Sequence, residues 1–266
     1  MKKKIEFQRI TKDSNSFFAD INEIIKYKDL IWLFIKRDFV TFYKQTLLGP
    51  LWYIIQPLVN TIIFTIIFGQ IAKLPTDELP PFLFYMSGTV VWSYYSTCLA
   101  NTSNTFIQNR DFFNKVYFPR LVIPISNIIF TLLQFIIQFL IFLSFLIYFY
   151  INGLEIDLSY HILYLPLLIL QMAILSLGFG TLIASITFKY RDLIFALTFL
   201  IQIWMYITPI VYPLSMVPED YRIYLMFNPM TSIVENFRNI FFLNSEITLY
   251  ETLTSILITL FVYLIG

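Results

Sequence analysis

The sequence has few of the residues on which catalysis or metal binding usually depends. It contains one cysteine, Cys98, and one histidine, His161, which excludes an intrachain disulfide and Cys/His metal chemistry. Only 13% of the 266 residues are charged, whereas 58% are hydrophobic and the mean hydropathy is +0.72. There are seven glycines and no Walker sequence. This composition is typical of a membrane protein that has no energy source of its own.

Charge-free stretches long enough to cross a hydrocarbon layer of ~30 Å, which takes ~20 helical residues, predict six transmembrane helices. None has an ionisable residue near its middle, which argues against a proton-coupled carrier or pump. In the fourth, the small residues Ser176, Gly180 and Ala184 share one face and predict close helix packing. The predicted spans are Leu51–Ala72, Phe82–Ser103, Leu121–Tyr150, Ile162–Phe188, Leu193–Leu214 and Leu249 to the end.

The N-terminus lacks the apolar core and the small-residue cleavage site of a secretory signal, so we expect it to stay in the cytoplasm. With that orientation, 15 of the 18 Lys and Arg residues lie on the cytoplasmic side, and the positive-inside rule places both termini there. The chain is therefore predicted to be all-α, with a cytoplasmic region at 1–50 and a six-helix membrane domain at 51–266.

The segment Leu30–Trp52 predicts an amphipathic helix on the cytoplasmic face of the membrane. After it, Gly49-Pro50 would break the helix so that the chain can turn into the bilayer. The helix suits a membrane-surface anchor and also a dock for a cytoplasmic partner, and the two interpretations are compatible. Its apolar face carries Ile31, Ile35, Phe39 and Phe42, and its polar face Arg37, Thr41 and Lys44.

Uncharged polar and aromatic side chains form stripes along four of the predicted helices. Lipid offers them no hydrogen bonds, so they should face other helices or a water-filled path. Hydrogen bonds between helices explain any one stripe, but the four together favour a conduit for a neutral, hydroxyl-rich substrate, because aromatic faces stack on sugar rings and amides bond hydroxyls. The candidate path residues are Trp52, Gln56, Trp92, Tyr94, Tyr95, Gln134, Gln138 and Tyr206, and the stripes also include Asn60, Asn127, Thr131, Thr198 and Gln202.

Two connections between the predicted spans look functional. The cytoplasmic link Asn104–Pro119 predicts a short polar helix with exposed aromatics, suited to a groove on another protein. The outer link Ser215–Thr248 contains two helical halves that are too short to span and are separated by Asn-Pro, which predicts a re-entrant hairpin. The candidate coupling residues are Arg37, Lys44, Arg110, Asp111, Phe112 and Phe113, and the candidate outer-gate residues are Asn228, Pro229 and the pair Glu235 and Arg238, three apart on one face.

Five segments of the chain, taken in their order and with their spacing, resemble the corresponding segments of a known family. This family comprises the membrane subunits of type 2 ABC exporters that move polysaccharides or polyol phosphates. The five segments cover the chain from about Leu30 onward. They are "YKQTLLGPLWYIIQP" (Tyr43 to Pro57), "PPFLFYMSGTVVW" (Pro80 to Trp92), "NKVYFPRLVIP" (Asn114 to Pro124), "YRD" (Tyr190 to Asp192) and "NPMTSIVENFR" (Asn228 to Arg238).

The resemblance implies a permease in the inner (plasma) membrane that exports a lipid-linked polysaccharide such as O-antigen. It implies a homodimer bound to two cytoplasmic ATPase subunits, with the path between protomers and the outer hairpins as gates. ATP and Mg²⁺ would bind to the ATPases, so this chain is expected to be no enzyme, to hold no cofactor and to bind no nucleic acid. The family usually has a short charged cytoplasmic tail after the sixth helix, whereas this sequence reaches Gly266, inside or just past that helix.

Two other classes remain open from the sequence. An ABC exporter of drugs or small lipids would have the same fold and a different substrate. A membrane-embedded glycosyl- or phosphotransferase would need carboxylates or a histidine at the membrane surface. Asp111 and Asp192 are available, but each stands next to an arginine and is more simply interpreted as part of a solvated ion pair or a dock.

Overall fold

The computed structural model describes residues 24–45, 48–154, 160–190, 192–242 and 248–266, and throughout those ranges the regular structure is helical. Eleven α-helices are numbered here in chain order within this described part. They are α1 (Lys28–Gln45), α2 (Trp52–Phe64), α3 (Pro81–Ser103), α4 (Thr105–Gln108), α5 (Arg110–Lys115), α6 (Val122–Ile151), α7 (Leu165–Thr187), α8 (Leu193–Ile207), α9 (Glu219–Met226), α10 (Pro229–Phe242) and α11 (Leu249–Ile265).

A turn at Gly49 and Pro50 separates α1 from α2, as the Gly-Pro pair predicts. Gly49 has φ +52°, a left-handed conformation that side chains with a Cβ rarely adopt. Pro50 then lies in the first turn of a short 3₁₀ helix, Gly49–Leu51, where its missing N–H costs no hydrogen bond. α2 follows directly and is extended by a π-helical stretch, Thr65–Ile71.

Three helical stretches of the described residues are long and apolar enough to cross a membrane. These are Gly49–Ile71, Val122–Ile151 and Ile162–Thr187, and two shorter apolar helices are Leu193–Ile207 and Leu249–Ile265. They correspond to five of the six predicted spans. The remaining one, α3, carries polar side chains nearly all round and is therefore less apolar than these stretches.

α3 forms the centre of the fold. It packs mainly against α7 and α6, and also against α2 and α10. Most of its side chains are buried, including Tyr85, Tyr94 and Tyr95, which are among the largest fully buried residues. Polar groups can lie at this depth because protein, and not lipid, surrounds them.

Small residues let α7 approach its neighbours closely. A Cβ at Gly180 would lie 2.5 Å from Cβ of Thr102 on α3, and one at Gly178 would lie 2.8 Å from the backbone of Tyr263 on α11. Ser176 and Ala184 are also buried. The close packing predicted for the face with Ser176, Gly180 and Ala184 is therefore confirmed toward α3, and Gly178, on another face of α7, allows the close approach of α11.

Candidate functional site

The helix α1 and the link between α3 and α6 meet in an aromatic cluster. Phe34 is 2% exposed, and its ring centroid lies 5.8 Å from that of Phe112 and 6.0 Å from that of Phe118. Phe113 stacks on Phe118 at 5.2 Å and contacts Phe106 at 5.4 Å. Phe34 was not among the residues assigned to the apolar face from the sequence, although it lies at the centre of this contact. We call Phe34, Phe106, Phe112, Phe113 and Phe118 the cytoplasmic aromatic cluster.

Arg37 connects the same two elements through polar contacts. Its Nη1 donates to Oδ1 of Asn109 at 3.3 Å, and its Nε donates to Oδ1 of Asp38 at 2.7 Å. Its guanidinium lies 4.8 Å from the ring centroid of Phe34 and 5.5 Å from that of Phe112. A force applied to the link would therefore reach α1 through both the arginine and the aromatic rings.

The structure brings three of the candidate coupling residues together, namely Arg37, Phe112 and Phe113. Phe112 is 45% exposed and is open to a partner, whereas Phe113 is half-buried in the cluster. Arg110 is exposed on α5, and Lys44 is exposed near the end of α1, roughly 10 Å along the helix axis from Arg37. Asp111 lies on α5, but its side chain is outside the described part of the structure.

Two of the four polar stripes are exposed. Trp52, Gln56 and Asn60 recur at a spacing of four along α2, and all three side chains are exposed. α8 carries a second such set, with the same spacing of four and with all three side chains exposed: Thr198, Gln202 and Tyr206.

α2 and α8 are also poorly covered by the rest of the chain. In the most apolar 18 residues of the stretch Gly49–Ile71, only 11% of the residues are buried. The corresponding share is 33% in each of the other two long apolar stretches. On α8, Leu197 is the one buried residue. The exposed amides therefore need an environment that this chain does not supply.

The polar stripe of α6 faces inward. Gln134 is 9% exposed, and its Nε2 donates to the hydroxyl of Tyr53 on α2 at 2.9 Å. Asn127 donates through Nδ2 to Oγ1 of Thr105 at 3.3 Å. Gln138 is 6% exposed, and its Oε1 has no hydrogen-bond partner among the described residues. This stripe holds helices together in the present conformation.

Three aromatic candidates for the path lie in the protein core. Trp92 and Tyr94 are 6% and 2% exposed, and Tyr95 is fully buried. The ring of Tyr95 lies 5.6 Å from that of Trp92 and 5.4 Å from that of Trp204 on α8. In this conformation the three residues pack between helices, and contact with a substrate would require α3 to separate from its neighbours.

Arg238 is the centre of a buried polar cluster that joins three elements. Its Nη1 donates to Oε1 of Glu235 at 2.9 Å and to the carbonyl of Pro209 at 2.7 Å, and its Nη2 donates to the carbonyl of Ile210 at 3.0 Å. On the α3 side, Nε donates to Oγ of Ser87 at 3.3 Å, and the guanidinium lies 3.8 Å from the ring centroid of Phe84.

This cluster holds the segment after α8 against α3 and α10. The pairing of Glu235 with Arg238 was predicted from their spacing, and the structure forms it with both side chains 5% exposed. The two backbone carbonyls could not be inferred from sequence, because backbone acceptors leave no residue signature. A Cβ at Gly88 would lie 2.9 Å from Cγ2 of Ile210, so the glycine permits this close approach.

Asn228 fixes the start of α10 to the end of α8. Its Oδ1 accepts from Nε1 of Trp204 at 2.9 Å and from the backbone N–H of Met230 at 3.1 Å. Its Nδ2 donates to Oγ1 of Thr208 at 3.0 Å. Pro229 follows as the first residue of α10, where its fixed φ suits helix initiation. The four residues assigned to the outer gate thus lie on α10 or directly before it. Asn228 bonds the start of this helix to α8, and Arg238 bonds its second half to the segment after α8.

Comparisons with a family model and with individual proteins point to the same family. A family model described as "ABC-2 type transporter" matches residues 29–242. An O-antigen export system permease protein RfbA from Klebsiella pneumoniae is 28% identical over 235 residues, which cover 88% of this chain and 87% of the relative. An RfbA from Myxococcus xanthus is 25% identical and covers 84% of each chain. The polysialic acid transport protein KpsM from Escherichia coli is 26% identical over 75% of this chain and 76% of its own.

Proposed function

Since the chain belongs to the ABC-2 type transporter family, we propose that it is the membrane permease subunit of an ATP-driven exporter of lipid-linked polysaccharide. The relatives named as O-antigen and polysialic acid transporters support this substrate class. The inner (plasma) membrane is its proposed location.

The observation that carries the proposal is the pair of exposed, uncharged polar stripes on α2 and α8. Three amides, the hydroxyl of Thr198 and the rings of Trp52 and Tyr206 stand at regular spacing on two apolar helices that the rest of the chain covers poorly. Sugar hydroxyls can exchange hydrogen bonds with the amides, and sugar rings can stack on Trp52 and Tyr206. Many weak and similar contacts suit a moving polymer, because no single site then traps it.

A homodimer would give these stripes a closed environment. Two copies that meet around α2 and α8 would enclose four polar stripes, and the outward faces of the dimer would stay apolar. The costly exposure of amides to lipid would then be avoided. We therefore place the path between protomers.

Two cytoplasmic ATPase subunits are the proposed source of energy, and they would bind ATP and Mg²⁺. Phe112, exposed on α5, and the basic residues Arg110, Arg37 and Lys44 form the proposed docking surface. Movement of the link would pass to α1 through the cytoplasmic aromatic cluster and Arg37, and from α1 through the turn at Gly49 to α2.

The proposed topology has six spans with both termini in the cytoplasm, because 15 of 18 basic residues then lie inside. α3 completes the six as a central span shielded by its neighbours, and α9 and α10 form a re-entrant hairpin on the outer side. Arg238 and Asn228 would make the outer end of α8 move together with this hairpin. The hairpin can then act as the gate of a path that α8 lines.

Removal of the amides should slow export without weakening the fold. We expect the double substitution Gln56→Leu and Gln202→Leu to lower polysaccharide export by about 30-fold, because it removes two hydrogen bonds to the passing polymer, each worth about 1 kcal/mol. Both side chains are exposed, so thermal stability in detergent should not fall. Ser144→Val, which replaces an exposed polar residue of α6 outside the stripes, is the matched control and should export normally. Normal export by the double variant would show that the two stripes do not line the path.

A further inference from the structure

A groove of about 670 Å³ runs between α7, α10 and α11, away from both polar stripes. Its walls are mainly aliphatic, and several of the leucines are half exposed or more, including Leu167 (59%) and Leu253 (52%). One end is polar, with Asn236, Asn239 and Thr248 in the lining. The groove is therefore amphipathic along its length.

The dimensions of the groove correspond to one leaflet of a bilayer. α7 and α11 run side by side in the same direction, since Nε2 of Gln171 donates to Oγ of Ser255 at 2.7 Å and Gly178 faces Tyr263. The lining follows α11 from Thr248 to Leu260, a rise of roughly 18 Å. The hydrocarbon layer of one leaflet is about 15 Å thick, half of the full core.

The polar end offers hydrogen bonds where a lipid carries its ester groups. Asn236 donates to Oγ1 of Thr252 at 3.1 Å and is thereby held in place. Asn239, one helical turn further along α10, is half-buried, and its amide has no partner within the described ranges of the chain. An amide in this position can donate to an ester carbonyl.

We propose that this groove binds one acyl chain of a glycerophospholipid from the surrounding bilayer, with Asn239 at the ester end. Water does not suit the apolar walls, which offer few polar partners. The groove lies beside α7, which is long and apolar enough to cross a membrane, and beside α11, a shorter apolar helix, so lipid chains are the medium at its mouth. The lipid is distinct from the exported cargo, and the inference does not depend on the proposed function.

The test uses the full-length protein in vesicles that contain a phosphatidylethanolamine with a photoactivatable diazirine in the middle of one acyl chain. After irradiation, mass spectrometry of peptides locates the label. We expect labelling to concentrate on the groove residues of α7 and α11. Leu253→Trp, which fills the groove from an exposed position, should reduce that labelling at least fivefold, and Leu260→Trp should do the same from the deep end. The matched control is Leu257→Trp, since Leu257 is 67% exposed on α11 but does not line the groove.

The variant Asn239→Leu distinguishes a site that recognises the ester group of a lipid from an apolar surface that binds any hydrocarbon chain. It should weaken labelling by the phospholipid probe but not by a diazirine-bearing alkane, which has no ester groups. Equal labelling of all exposed apolar faces, or groove labelling that the two tryptophan variants leave unchanged, would overturn the proposal. Preferential labelling by a polyisoprenoid probe would overturn the choice of a glycerophospholipid.

Discussion

Arg238→Ala is expected to lower the free energy of unfolding by about 3–5 kcal/mol, which is a large part of the stability of a typical domain. The substitution leaves the carboxylate of Glu235 buried without its arginine, and removal of one partner of a buried pair typically costs that much. It also deprives the carbonyls of Pro209 and Ile210 of their donor. Thermal or denaturant unfolding in detergent measures the change.

A double variant separates the charge from the backbone contacts. Glu235→Leu with Arg238→Met replaces the ion pair by apolar side chains of similar length, so the charge penalty disappears while the two carbonyls stay unpaired. We therefore expect partial recovery. Arg110→Ala, at an exposed arginine, is the control and should change stability by no more than about 0.5 kcal/mol. If Arg238→Ala unfolds like this control, the cluster does not hold the outer hairpin in place.

The second large effect on stability is expected at Tyr95. Two substitutions of this residue should differ widely in the free energy of unfolding. Tyr95→Ala should destabilise the protein by about 3–5 kcal/mol, because it opens a cavity between Trp92 and Trp204. Tyr95→Phe should be tolerated, since the hydroxyl is buried and has no partner among the described residues. Unfolding midpoints of the two variants and of the parent give the comparison.

Export by the Tyr95→Phe variant then tests whether the hydroxyl of Tyr95 contacts the substrate. A ring that only packs should support normal export when its hydroxyl is removed, provided that the protein accumulates to the parental level. A strong loss of export in a fully stable Tyr95→Phe variant would show that the hydroxyl meets the polymer, and the core assignment of this residue would be wrong for the transporting state.

The family could be identified from sequence because its segments are local and ordered along the chain. The turn at Gly49-Pro50 and the pair Glu235 and Arg238 are also local features, and the structure contains both. Such features can be predicted because they depend only on the identity of a few residues and on their separation along the chain. The same applies to the small face of α7, where Gly180 meets Thr102.

The burial of the polar stripes could not be predicted in the same way. The stripes of α2, α6 and α8 all have helical spacing of three or four residues and similar side chains, yet only that of α6 faces the core. Which face of a helix is covered depends on contacts between residues far apart in sequence, such as Gln134 with Tyr53. The polarity of α3 likewise reflects its central position, and periodicity alone cannot distinguish a shielded helix from one that lines a path.

Deletion of the gene in the organism that encodes this chain, followed by location of the surface polysaccharide, tests the central claim most directly. A polymer-specific antibody or lectin is applied to intact and to permeabilised cells. If the chain is the export permease, the polymer should disappear from the surface and accumulate inside in its lipid-linked form, and a plasmid copy of the gene should restore it. Unchanged surface polysaccharide, or a loss without any internal accumulation, would contradict a role in export.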